Sequence, residues 1–337
     1  RAEDTFGASD RSPAVIRAAD TAGQNRAVRV HTGSELPEGA DAVVMIEDVD
    51  QIDDELEVFD AVAAGENVAP VGEDVEADQR LYDPGHQLRP SDLGLLKGTG
   101  IDTVEVAARP EVAVIPTGEE LVQADPDPGE VVETNGLTVA RLVERWGGDA
   151  TYRDVVTDEA SALEAAVRRD LHRDLVVTTG GSSVGERDLV PDVVDDLGEV
   201  LVHGVALRPG HPVALGVVED TPVVMLPGYP VACIVNAVQF LRPALKAAGG
   251  MPRPEHPTVE ARLARKATSE PGVRTFVRVD LREAEAANGR EAVPVRSGGS
   301  GVLSSVALAD GWLVVPEGRE GIPAGETVDV ELWEELP

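Results

Sequence analysis

At 337 residues and 42% hydrophobic content, the chain can bury a sizeable core and is expected to divide into more than one domain. Asp and Glu outnumber Lys and Arg by 62 to 29, giving a net charge of -33, and lysine occurs only at Lys97, Lys246 and Lys266. That surface reads as halophilic and argues against binding nucleic acid or anionic membranes, and the lone Cys233 excludes an intrachain disulfide and suggests no zinc or iron–sulfur site.

The chain opens on Arg1 with no signal peptide legible, and it reads as beginning inside a domain. Residues 1–71 carry β-like runs, Ala27–His31, Ala42–Ile46 and Leu56–Phe59, between turn-rich pieces, so a small β-rich domain is expected. Residues 72–108 read as a connecting α/β region with a helix over Ser91–Gly98, and Pro110 follows as a boundary.

From 109 to 250 the pattern becomes apolar strands alternating with amphipathic helices. Strands fit Val112–Pro116, Thr151–Val156, Leu175–Thr179, Val200–Ala206 and Val223–Leu226. Helices fit Leu137–Trp146, Glu159–Leu171, Leu189–Leu197 and Val231–Ala248. Such β-α alternation predicts an α/β fold, a three-layer αβα domain with a mainly parallel sheet and ligands at the carboxyl ends of its strands. The apolar stretch Val223–Leu241 is broken by Pro227, Gly228 and Pro230, which argues against a membrane span. After the link Met251–Pro257, the runs Val259–Leu263, Thr275–Leu281, Trp312–Val315 and Val328–Leu332 predict a C-terminal β domain over 256–337.

Leu175–Thr179 feeds Gly180, Gly181, Ser182, Ser183, Val184 and Gly185, and a helix opens at Glu186, Arg187 and Asp188. Glycines admit an anion close to backbone N–H groups, serines add donors, and a helix start adds partial positive charge. The alternative is a tight βα turn. Two elbows, Arg208-Pro209-Gly210-His211-Pro212 and Leu226-Pro227-Gly228-Tyr229-Pro230, form rigid turns that can shape a pocket. Asp74, Glu119, Glu120, Asp158 and Asp188 recur at strand ends or turns. Asp158 also fits a helix N-cap. Hard oxygen ligands beside a phosphate-holding loop suit Mg²⁺, with Glu120 and Asp188 as the metal candidates.

Together these segments resemble the MoeA family, which includes the gephyrin E domain. The resemblance rests on Arg29 to Met45, Gly72-Glu73-Asp74-Val75, Thr117-Gly118-Glu119-Glu120-Leu121, Gly180 to Asp188, Pro209 to Pro212 and Leu226 to Ala232, in one order along the chain. It implies a MogA-like molybdopterin-binding domain, a barrel-like C-terminal domain, and an elongated homodimer in the cytoplasm. The αβ domain of one subunit would meet the N-terminal β domain of the other. It further implies Mg²⁺-dependent insertion of molybdate or tungstate into adenylylated molybdopterin with release of AMP, and dealings with a MogA-type adenylyltransferase and with molybdoenzymes. By position it assigns Thr32, Asp74, Glu120, Asp158 and Asp188 to catalysis. Gly180, Gly181, Ser182, Ser183, Gly185, the Arg208 to Pro212 elbow, Pro227, Gly228, Arg278 and Ser300 are assigned to binding.

The departures from the family pattern are specific. Arg208 and His211 stand where the family carries lysines, Tyr229 replaces an asparagine, and Val273 replaces an arginine that Arg274 follows by one position. Arginine keeps a fixed charge, whereas neutral histidine does not, so oxyanion affinity is expected to change. The competing readings are a non-catalytic paralogue that holds cofactor intermediates and a nucleotide amidase or hydrolase sharing the αβα domain.

Overall fold

Short alternating runs joined by tight turns shape the first part of the chain. Strands Ala14–Ala18 (β1), Arg26–Ala27 (β2), Val49–Ile52 (β3) and Glu55–Val58 (β4) form a sheet in the order β2-β1-β4-β3. Asp53, at φ 56°, makes the tight turn between β3 and β4, a conformation Asp tolerates. The computed structural model describes residues 1–181, 189–283, 289–295 and 299–334. It packs as two units, residues 1–83 with 95–100 and residues 84–94 with 101–337, the division falling within helix Pro90–Gly98 (α1).

Two expected strands of the first unit do not form. Only Ala27 of the Ala27–His31 run joins the sheet, and in Ala42–Ile46 residues 42–45 have no ladder partner while Ile46 opens a 3-10 turn, Ile46–Asp48. The backbone of the second run is satisfied by a loop instead: Val43 N–H donates to Glu66 O at 3.1 Å, and Asn67 Nδ2 donates to Val43 O at 2.9 Å.

In the second unit Glu111–Pro116 (β5), Asn135–Arg145 (α2), Asp149–Tyr152 (β6), Ala160–Arg169 (α3), Leu175–Thr179 (β7), Leu189–Leu197 (α4) and Glu199–His203 (β8) follow in order. The two-residue strand Leu207–Arg208 (β9) precedes a hairpin of Ala214–Val218 (β10) and Thr221–Leu226 (β11). The sheet order is β8-β10-β11-β7-β5-β6, with β11, β7, β5 and β6 parallel and β10 antiparallel to both neighbours. All five residues of β7 are buried, which is why it reads as a continuous apolar run rather than an alternation. Val112, Val114, Val177 and Val224 face α2 and the last helices, while Ile115, Val176, Val223 and Met225 face α3 and α4. Each such Val, Leu or Ile contributes about 1.5–3 kcal/mol on burial, so the strand ends are held rigidly. The chain turns to opposite sides after β5 and β7, which makes their carboxyl ends the switch point of the sheet.

The final helical run starts as Pro230–Asn236 (α5), passes through a wide π-type turn at Ala237–Leu241 and continues as Arg242–Ala248 (α6). By length and composition it could cross a membrane, with mean hydropathy 1.2, but 67% of it is buried inside this chain. It is therefore a core helix of the αβα layers.

Strands Thr258–Leu263 (β12), Arg274–Glu283 (β13), Arg290–Pro294 (β14), Gly311–Val315 (β15) and Thr327–Glu331 (β16) close into a five-stranded barrel in the order β13-β14-β12-β16-β15, with β15 returning to β13. Ala261, Leu263, Val279, Ala292 and Val330 fill it. Outside the barrel Phe276 meets Trp312 edge-on at 5.3 Å, and Trp312 stacks on Trp333 at 4.9 Å, joining the αβα core. The short strand β9 pairs with the start of β13 and so fixes the Arg208 elbow against the barrel.

Candidate active site at the strand ends

Three strand ends converge at the switch point. Thr117 N–H donates to Thr179 O at 2.9 Å, Gly118 N–H to Val156 O at 3.1 Å, and Gly180 N–H to Leu226 O at 3.1 Å. Gly180 adopts φ 107°, and a Cβ there would fall well inside 3.0 Å of Thr117 O, so only glycine lets the β7 and β5 ends meet. A Cβ on Gly228 would lie 3.4 Å from Gly180 Cα, which places the β11 elbow directly against this turn. Asn135, at the start of α2, donates from Nδ2 to Gly228 O at 2.6 Å and holds that elbow in place. The buried hydroxyls of Thr117 and Thr179 have no hydrogen-bond partner among the described residues. Unsatisfied buried donors at a strand-end crevice await a ligand acceptor.

Two of the expected carboxylates come together here. Asp158 is pushed above the ordinary carboxylate range, first by burial and then by repulsion from Glu120, with Glu119 adding to it. A hydrogen bond to the Glu119 backbone partly offsets this, and Oδ1 is buried with no partner among the described residues. Asp158 therefore turns toward the Glu119–Glu120 turn rather than capping α3, whose N-cap is Glu159. Two neighbouring carboxylates beside a glycine turn fit a divalent cation that takes its other ligands from a substrate. Among the described residues no group of three metal-ligating side chains forms. Asp188, Ser182, Ser183 and Gly185 lie outside the described residues; Gly181 lies against Val190 and Thr117. Thr32 and Asp74 sit exposed in the first unit, Thr32 in a His31–Ser34 turn closed by Gly33 at φ 82°.

The other expected residues line one cavity of about 640 Å³, bounded by Arg208, Pro209, Gly210, His211, Pro212, Pro227, Arg278 and Ser300. Gly228, next in the elbow, faces Gly180 instead. The cavity wall and the Gly180 turn thus meet successive residues of one elbow, Pro227 and Gly228. Arg278 is nearly buried on β13, and burial lowers its pKa. His211 Nδ1 lies 2.7 Å from Val205 O, so that nitrogen carries the proton and donates, leaving Nε2 an acceptor until the ring is protonated. The Arg208 guanidinium pairs with Glu270 at 2.6 Å, both side chains being largely exposed. Ser300 is fixed by its carbonyl, which accepts from Val231 N–H at 3.0 Å.

Four residues of this site were not singled out as functional by sequence. Glu270 is one acid among 62. Asn135 gave no signal. Tyr229, largely exposed at the cavity wall, stood out only as a departure from the family pattern. Asn236 did carry a signal, an amide inside the apolar run Val231–Leu241. It is fully buried and donates to Gly210 O and Ala232 O, both at 2.9 Å, so it locks the Arg208 elbow to α5.

Comparison with known proteins covers the chain in three parts. Residues 1–100 match the MoeA N-terminal region (domain I and II), residues 113–247 a probable molybdopterin binding domain, and residues 260–333 the MoeA C-terminal region (domain IV). A putative molybdopterin biosynthesis protein of Methanocaldococcus jannaschii is 37% identical over 98% of this chain and 82% of its own length. The molybdopterin molybdenumtransferase of Bacillus subtilis is 31% identical over 99% of this chain and 82% of its own. The solved structure of the molybdopterin biosynthesis MoeA protein from Pyrococcus horikoshii superposes with a TM-score of 0.81 at 34% identity, covering 100% of this chain and 85% of that one.

Proposed function

The chain belongs to the MoeA family of molybdenum cofactor biosynthesis, an enzyme class of molybdopterin molybdenumtransferases, and from that premise we propose that it inserts molybdate into adenylylated molybdopterin and releases AMP. The observation that supports this reading is that the arginine-lined cavity and the Gly180 turn adjoin successive residues of the Pro227–Gly228 elbow. One end suits a small oxyanion; the other suits a pyrophosphate.

In this reading the oxyanion lies on Arg278 and Arg208, with Ser300 and a protonated His211 as further donors. The pyrophosphate lies on the Gly180–Gly181 turn, where the Thr117 and Thr179 hydroxyls gain acceptors. Mg²⁺ would be held by Glu120 and Asp158 and would supply charge neutralisation at the phosphates. Water attacks the AMP phosphorus and gives its proton up to solvent, the phosphoanhydride bond breaks with its oxygen leaving on the molybdopterin phosphate, and the attacking oxygen stays on AMP. Thr32 and Asp74 belong to the same proposal, as does a homodimer.

The test is AMP release from adenylylated molybdopterin with Mg²⁺, with and without molybdate or tungstate. Oxyanion-dependent release that falls at least about a hundredfold in Asp158→Asn and Glu120→Gln is the expected result. Binding without release in the wild type would favour a holder of cofactor intermediates, and unchanged release in both variants would remove the carboxylate pair from the mechanism.

A further inference from the structure

With 62 acidic against 29 basic residues, a group of cations with no acidic partner is unexpected anywhere in this chain. One exists on α6. Arg242 and Lys246 are spaced i,i+4 on the same helix face, and both are buried, at 4% and 5% exposure. Like charges at this spacing repel, and burial without a counter-charge costs free energy twice over. The loop after α6 brings His256 and Arg253 to the same place: Arg242 Nη2 donates to Pro254 O at 3.0 Å, and the Met251 N–H donates to Lys246 O at 2.8 Å. The charges that perturb Arg242, Lys246 and His256 are other cations only, Arg253 on the first and Arg242 on the other two. Arg242 Nε and His256 Nδ1 are buried without a hydrogen-bond partner among the described residues. Burial and Arg242 together hold His256 at about 4, so the ring is neutral near pH 7, and no ion pair to an acid forms at Arg242, Lys246 or His256 among the described residues.

The group is remote from the candidate active site. Ala232, near the start of α5, lines the cavity, and Arg242 and Lys246 follow ten and fourteen residues later. At 1.5 Å per residue that is roughly 15–21 Å along the helix.

We propose that Arg242, Lys246 and His256 form a second oxyanion site, for a phosphate- or sulfate-class ion, separate from the cavity that carries the chemistry. A tetrahedral oxyanion has enough acceptors for Arg242 Nε, the Lys246 ammonium and an N–H at His256 Nδ1, and its charge removes the repulsion between the helix cations. Bound there, it ties α6 to residues 251–257, the segment that leads into β12 of the barrel. The site thus clips the αβα layers to the barrel.

Thermal melts of the whole chain in phosphate, against chloride at matched ionic strength, test this. Wild type is expected to gain stability as phosphate rises to about 50 mM, following ligand linkage. Lys246→Met should weaken the phosphate response about tenfold while being at least as stable in chloride, because it removes a buried unpaired charge. Arg208→Gln, in the cavity, should keep the response. His256 imidazole NMR signals should shift with phosphate in wild type and not in Lys246→Met. If Lys246→Met does not fold, His256→Gln at its half-buried position carries the same test. No phosphate response in wild type, an equal response in the α6 and loop variants, or its loss in Arg208→Gln alone would each overturn the proposal.

Discussion

Substituting alanine for Gly180 isolates the geometry on which the candidate site depends. The φ of 107° is a conformation that side-chain-bearing residues rarely adopt and costs about 1–3 kcal/mol. The new Cβ would overlap Thr117 O, a backbone atom fixed in the buried β5 end, so Gly180 itself must move. Moving it breaks the 3.1 Å bond from Gly180 N–H to Leu226 O, about 1 kcal/mol more. The sum, roughly 2–4 kcal/mol, corresponds to a fall in Tm of about 5–15 °C at the sensitivity of a 150–250-residue unit. Gly228→Ala is the internal control, because its Cβ would make an ordinary 3.4 Å contact with Gly180 Cα. Differential scanning fluorimetry measures both, with AMP release beside it. A Gly180→Ala protein that melts with wild type, or one more stable than Gly228→Ala, would refute the close-approach argument.

Four further outcomes are expected. Asp158 has a raised pKa, so its contribution to stability is complete below its ordinary value of 3.8 and is lost as pH rises through the raised one. Asp158→Asn should accordingly melt above wild type at pH 7, with the gap closing toward pH 4, even as AMP release is lost; a lower Tm at pH 7 contradicts the assignment. Glu270→Gln frees Arg208 from an exposed ion pair worth about 0.2–1 kcal/mol, so molybdate should bind roughly 1.4- to 5-fold more tightly by calorimetry. His211→Lys places a fixed positive charge at the cavity wall and should raise molybdate affinity by calorimetry; unchanged affinity would remove this position from oxyanion binding. Asp170 is fully buried and accepts from Arg153 and Arg169, so Asp170→Ala should lose about 3 kcal/mol in urea unfolding without changing oxyanion affinity.

The αβα domain was legible because its signals are local. Leu175–Thr179 opens on three apolar residues and closes on two β-branched threonines, matching a strand buried on both faces, and Leu142, Val143 and Trp146 repeat at helical spacing on α2 and its cap, all turned into one core. The first unit was less legible. Ala42–Val44 has the composition of a strand, yet its hydrogen bonds run to residues 65–67, a choice made by chain segments more than twenty positions away. The strands β1 and β14 escaped for a related reason. Arg17 in Ala14–Ala18 and Arg290 and Glu291 in Arg290–Pro294 interrupt the apolar pattern, and pairing with β4 and β13 makes them strands.

The site divides along the same line. Glycines and prolines announce the three turns because backbone conformation is written in the residues that adopt it. The groups that aim those turns are written elsewhere: Asn135 reaches Gly228 from 93 positions away, Asn236 reaches Gly210 from 26, and Glu270 reaches Arg208 from 62. Each is a polar side chain whose meaning depends on a partner the sequence does not place beside it. Glu270 carries the consequence furthest. The replacement of lysine by Arg208 was expected to preserve a fixed charge for an oxyanion, but the carboxylate 2.6 Å away already satisfies that charge. In the proposed reading an entering oxyanion competes with Glu270 for the Arg208 charge and takes the guanidinium N–H groups that Glu270 leaves open, so the ion pair, and not the arginine alone, bears on which oxyanions would bind.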